Sequence, residues 1–188
     1  MLKPTLSRIE IFPVKSLDGV MLQEATLLPS GALKGDRQYA IVDAQGRFVN
    51  GKTNPLIHRL RATFSNDLST ITLQCQGEEP HESFSLLGDR TLLEAWLSRY
   101  FCQPVTVQEN VITGFPDDLN AAGPTVTTVA TLAAVAEWFT ALDLPEIRRR
   151  FRTNLEVSHT PAFWEDRLYG EPNSALPFQM GGSHATGH

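Results

Sequence analysis

Phe12-Pro13-Val14-Lys15-Ser16-Leu17-Asp18-Gly19, answered some twenty residues on by Gly35-Asp36-Arg37, is the stretch from which this chain is best read. A run rich in strand formers ends at a proline, a lysine and a hydroxyl follow it, and an arginine opens the next strand-like run. Lys15 offers a mobile point charge and Arg37 a planar fork of donors, and with Ser16 they suit a phosphate-like anion. On spacing alone the same residues also fit an ordinary solvated loop.

Working outward, residues 5–14 read as a first strand, with Pro13 marking an edge or bend. Residues 20–28 read as a second strand and 37–43 as a third, and Arg47, Phe48 and Val49 pair back across a tight turn. Residues 60–65 and 71–76 form a hairpin around Asn66, Asp67 and Leu68, and residues 83–86 add a short strand. Short strands with frequent turns imply a barrel or sandwich. Residues 90–100 then carry Leu92, Leu93, Trp96, Leu97 and Tyr100 at steps of three and four, the spacing of an amphipathic helix. Residues 104–108 return to strand character, and residues 111–123 read as a long loop and a soft boundary. Beyond it Thr131 caps a helix running to 142 with Leu132, Val135, Trp138 and Phe139 on its apolar face. Residues 151–157 read as a strand and 181–188 as a disordered tail. The fold class is mainly β with α, an α+β chain.

Composition narrows the function. Of 188 residues, 41% are hydrophobic and 20% charged, as in a globular protein, and the net charge of −5 excludes non-specific binding of nucleic acid. No apolar run is long enough for a membrane span and the N-terminus lacks a signal-peptide core, so the expected compartment is the cytoplasm. Cys75 and Cys102 have neither metal-ligand nor disulfide spacing, and each reads as a small buried hydrophobe. Hydrolase elbow, phosphate-loop, dinucleotide and zinc-protease motifs are all missing.

What remains is a set of basic and hydroxyl residues at element ends: Lys15, Ser16, Arg37, Thr127, Thr128, Thr131, Arg152 and Asn154. Thr127 and Thr128 precede a helix, where free N–H groups favour an anion, although simple capping explains them equally well. If a strand begins at Phe151, alternation sets Arg152 and Asn154 on one face. The loop through Trp164, Glu165 and Asp166 reads as a gate or as salt-bridge partners of Arg148, Arg149 and Arg150.

Two blocks resemble a known family. Residues 9–49, with Pro13-Val14-Lys15-Ser16 and the later Asp36-Arg37 strand, are similar to the N-terminal β-barrel domain that precedes MOSC domains. Residues 123–139 and 148–170 resemble the opening of the MOSC domain itself. The resemblance implies a MOSC N-terminal β-barrel-like domain over 1–115 and a partial MOSC domain over 124–180. It implies binding of the molybdenum cofactor (molybdopterin), whose pterin-phosphate would be contacted by Lys15, Ser16, Arg37, Thr128, Arg152 and Asn154. Relatives of this kind are oxidoreductases that reduce N-oxygenated substrates with a redox partner protein, or sulfur carriers.

One departure accompanies the resemblance. The family pattern continues past the segment near Phe178 to a strand whose cysteine ligates molybdenum or carries sulfur, and neither Cys75 nor Cys102 matches it. The chain as given is therefore expected to be truncated and inactive, with no catalytic residue and no metal ligand assigned. A different class remains open, a non-enzymatic β-barrel module that binds an anion or a partner.

Overall fold

A computed structural model describes residues 3–77, 79, 81–118, 121–168, 176–180 and 183–187, the last two segments by backbone alone. The strands are β1 (Thr5–Ile11), β2 (Val20–Leu22), β3 (Tyr39–Asp43), β4 (Leu60–Phe64), β5 (Thr70–Cys75), β6 (Glu82–Ser85), β7 (Val105–Glu109), β8 (Val126–Thr128), β9 (Leu155–Ser158), β10 (Leu176–Met180) and β11 (Ser183–Gly187). The α-helices are α1 (Arg90–Tyr100), α2 (Val129–Glu137) and α3 (Leu144–Phe151). Mixed α+β with mainly strands is the class expected from the sequence. The strands of the described residues lie in separate sheets of four, three, two and two, not in a closed barrel. No helix among these residues is long and apolar enough to cross a membrane.

The chain divides into two compact units, a middle unit of Ile11–Met21 and Ala25–Ala122 and a terminal unit of Met1–Glu10, Leu22–Glu24 and Gly123–His188. In the middle unit β4, β5 and β6 form an antiparallel meander, and alternation turns Leu60, Ala62, Ile71, Leu73 and Phe84 inward. The β4–β5 turn is held by Asp67, which accepts from the Ser65 hydroxyl and from the backbone and side chain of Ser69. These bonds, the Ser65 hydroxyl foremost, lower its carboxyl to about 2. Helix α1 covers the meander with Leu93 and Leu97, one turn apart and each 1% exposed. β3 pairs antiparallel with β7 through Ile41 and Val107, and Val49 donates back to the Ile41 carbonyl as the hairpin reading expects.

The terminal unit is built on β1, β9 and β8, neighbours in that order in one sheet. β1 and β9 are antiparallel, whereas β8 and β9 are parallel and are joined by a crossover carrying α2 and α3, as parallel neighbours require. Leu132, Val135 and Ile147 form its small core. Glu156 of β9 is 2% exposed and accepts two bonds of 3.0 Å from Arg148 Nε, with Arg148 Nη2 at 2.9 Å and Arg8 Nε at 3.6 Å. A carboxylate this deep is tolerable because cations from two elements converge on it.

Four readings are corrected here. The second strand is three residues long, not nine. Thr128, not Thr131, caps α2, and the helix stops at Glu137, so Trp138 and Phe139 are 67% and 50% exposed instead of forming an apolar face. Residues 144–151 are a helix, so no strand starts at Phe151 and Arg152 and Asn154 do not alternate along one. Asp143 caps the Glu146 amide and Pro145 sits in the first turn, while Arg148, Arg149 and Arg150 sit where the helix dipole favours cations. Finally, Ser183–Gly187 pairs antiparallel with β10, so backbone partners supply an order that the glycine-rich composition does not suggest; Gly181, Gly182 and His188 lie outside the described residues.

Removing one member of a buried ion pair leaves the other uncompensated. Glu156→Gln is therefore expected to lower the stability of the terminal unit by about 3 kcal/mol. Glu146→Gln, whose partners Arg149 and Arg150 are exposed, should cost less than about 1 kcal/mol. Urea unfolding followed through amide signals of β9 separates the two; equal losses would show that burial of Glu156 does not set its contribution.

Candidate functional site

Residues 12–15 lie alongside 37–39 in a short ladder. Arg37 N–H donates to the Phe12 carbonyl at 2.8 Å, Tyr39 N–H to Pro13 at 2.9 Å and Lys15 N–H to Tyr39 at 2.7 Å, with Val14 and Tyr39 bridged in parallel. Pro13 lacks an N–H, but none of these bonds calls on it. The ladder brings the backbones of Lys15, Ser16 and Arg37 into one corner of the middle unit. Ser16 and Arg37 both take left-handed backbone, φ 72° and 48°. For residues with a Cβ that conformation is uncommon and is held by its surroundings.

Each cation there is already matched by a carboxylate. The Lys15 side chain is 8% exposed; its Nζ donates to the Phe115 carbonyl at 2.9 Å and to Asp117 Oδ1 at 2.5 Å, and stands 5.1 Å over the Phe48 ring. Arg37 pairs with Asp36, whose other oxygen accepts from Phe12 N–H at 2.8 Å, and its guanidinium lies 5.3 Å from the Phe12 ring centre. The segment that delivers Phe115 and Asp117 is seated tightly. Phe115 N–H donates to the Arg37 carbonyl, and a Cβ on Gly114 would come within 2.5 Å of the Asp36 carbonyl. Only glycine fits there, at φ 64°. Beside this corner Tyr39 is pushed up to about 12, by burial first and then by its hydrogen bond with Glu109.

In the terminal unit, β8 and β9 bring Asn154 beside the segment that leads into Thr128, since Asn154 N–H and Leu155 N–H both donate to the Thr125 carbonyl. Their side chains serve different ends. Thr128 is fully buried and caps α2 by accepting from Thr131 N–H. The Asn154 amide, 1% exposed, accepts from the Thr125 N–H and hydroxyl and donates to the Glu10 carbonyl, bracketing three segments. Arg152 closes α3 in left-handed backbone, φ 55°. Glu165, reached by a short 3-10 turn (Trp164–Leu168), fills the anion position ahead of α2. Its Oε1 accepts from the Thr127 hydroxyl at 2.8 Å and Thr128 N–H at 3.2 Å, and its Oε2 from the Thr131 hydroxyl at 2.9 Å. Glu165 thus serves hydroxyls and a helix end, while Arg148 pairs with Glu156.

Sequence reading identified the cations and missed their partners. Asp36 stood inside the quoted motif without a role, and Phe115 and Asp117 lay in a loop read as boundary. Cys75 is half-buried at the end of β5 and Cys102 is exposed in left-handed backbone after α1. Among the described residues no three histidine, cysteine or acidic side chains are grouped to hold a metal ion.

Burial tends to raise the Glu165 carboxyl, but hydrogen bonds from its own N–H, Thr127, Thr131 and Thr128 outweigh it and the net shift is downward. The docking of the 163–168 turn on α2 is therefore complete above the ordinary carboxylate range near about 4.3 and is lost as pH falls through the depressed value. The amide signals of Thr128 and Phe163 should report that step, and Glu165→Gln should remove it; a step that survives the substitution would assign it elsewhere. Compared with known proteins, residues 3–87 match the MOSC N-terminal beta barrel domain, a stretch that contains Lys15, Ser16 and Arg37. No curated protein matches the chain. The match assigns residues 3–87 to the family of MOSC N-terminal beta barrel domains.

Proposed function

We propose that the protein binds the molybdenum cofactor, with Lys15, Ser16 and Arg37 engaging the pterin-phosphate; Thr128, Arg152 and Asn154 are the further candidate contacts. The observation that carries this reading is a lysine ammonium buried inside the family-matched stretch and approached by a carboxylate oxygen. A buried ammonium costs free energy unless an anionic oxygen answers it, and a phosphate oxygen satisfies that requirement as a carboxylate does. The left-handed backbone of Ser16, Arg37 and Arg152 adds support, because such conformations gather at ligand sites.

The donor set fits the anionic end of the cofactor. Lys15 supplies a point charge, Arg37 a fork held against the Phe12 ring, and Ser16 a hydroxyl at a tight turn in which Leu17 N–H donates to the Val14 carbonyl. The Thr128 and Asn154 side chains already hold α2 and the Thr125 segment. When bound, the cofactor supplies oxygen-atom or sulfur-transfer chemistry at molybdenum. The reading extends to an oxidoreductase for N-oxygenated substrates, working with a redox partner protein, or to a sulfur carrier.

Purified protein supplied with molybdopterin in excess should retain it, measured as the fluorescence of the oxidised pterin. Retention of none would overturn the proposal and favour a module for other anions or partners. Lys15→Met, which keeps the buried stem, should weaken uptake about tenfold or more, the scale of a lost charge-assisted hydrogen bond. Arg37→Ala should weaken it to a similar degree; unchanged uptake in both variants would return these residues to a purely structural role.

A further inference from the structure

The two cations of the middle unit are neutralised in different ways. Asp36 is itself buried, its side chain 11% exposed, and it also accepts from Phe12 N–H, so it is built into the ladder beneath Arg37. Asp117 is 84% exposed while the Lys15 side chain it meets is 8% exposed. A buried ammonium is thus satisfied by a carboxylate that reaches it from the solvent side.

The loop that carries Asp117 does not depend on this contact for its place. Asn110 accepts from the N–H groups of Ile112 and Thr113 and donates to the Gly114 carbonyl. Phe115 N–H is tied to Arg37, and the Phe115 ring meets Phe48 edge-on at 5.7 Å. Asp117 lies two residues past this anchor, beyond Pro116, so its side chain can leave Lys15 while Phe115 stays.

From this geometry we infer that Asp117 is an internal occupant of the Lys15 anion site, and that its carboxylate and a ligand phosphate exclude one another. The inference rests on the reading of Lys15 as a phosphate contact and adds the device that sets its selectivity. A ligand must outcompete a tethered monoanion, which favours a phosphate dianion over a carboxylate or chloride. Apparent affinity falls by the fraction of protein in which Asp117 has left Lys15.

Inorganic pyrophosphate is the probe, titrated by calorimetry at constant ionic strength into wild type, Asp117→Asn, Asp118→Asn and Lys15→Met, and into the double variant Asp117→Asn with Lys15→Met. Asp117→Asn keeps a carbonyl oxygen for Lys15, and unchanged Gly114 and Phe115 amide signals would verify that the loop holds. It should bind about two- to fivefold tighter than wild type, the reach of a partly exposed ion pair. Asp118→Asn, an equal change in net charge, should match wild type, and the double variant should not bind. Equal affinity of wild type and Asp117→Asn, with binding still lost on Lys15→Met, would overturn the gate and leave Lys15 as the anion contact. Binding indifferent to Lys15→Met, or absent throughout, would overturn that contact and the gate with it.

Discussion

A lysine ammonium can be withdrawn from water only where fixed oxygens meet it, and the middle unit satisfies that constraint with a ladder. The bonds joining residues 12–15 to 37–39 hold the Lys15 stem inward beside Val14 and Leu17, which are each 2% exposed. The same ladder presents the Arg37 carbonyl to Phe115 N–H, and so draws in the loop whose oxygens receive the ammonium. Core packing, loop placement and charge satisfaction are therefore one arrangement. Removing the ladder would expose the stem and scatter the acceptors together.

The terminal unit meets the corresponding constraint with carboxylates as the buried partners. Glu156 draws Arg148 of α3 and Arg8 of β1 onto β9, and Glu165 draws the 163–168 turn onto the start of α2. Both carboxylates join elements that are distant in sequence, and the small core of Leu132, Val135 and Ile147 lies among those elements. Polar contacts of this kind carry part of the specificity of assembly.

What the sequence disclosed follows from the range of each interaction. Helix α1 was readable to its ends because Leu93 and Leu97 repeat at helical spacing, and the β4–β5 hairpin because its turn residues are local. Helix α3 was not, since three arginines hide the short apolar pattern of Leu144, Ile147 and Phe151, and its Asp143-to-Glu146 start signal went unread. Lys15 and Arg37 were legible as cations in a motif. Their environment was not, because Asp117 is 102 positions from Lys15 and Glu165 is 38 from Thr127. Pairings at such distances are written by the fold.

A consequence concerns how an acidic chain handles an anion. With a net charge of −5 the protein has no long-range field to gather anionic ligands, and several candidate contacts carry a carboxylate of their own: Asp117 at Lys15, Asp36 at Arg37, Glu165 at Thr127 and Thr128. On the reading proposed above, binding at such a site exchanges one anion for another, which leaves net charge burial nearly unchanged. Exchange suppresses adventitious monoanions, because a tethered carboxylate has already met the translational cost of binding that they must still bear. It favours ligands that bring more charge or more oxygens than the group they displace. Selectivity then arises from the internal competitor as much as from the cations.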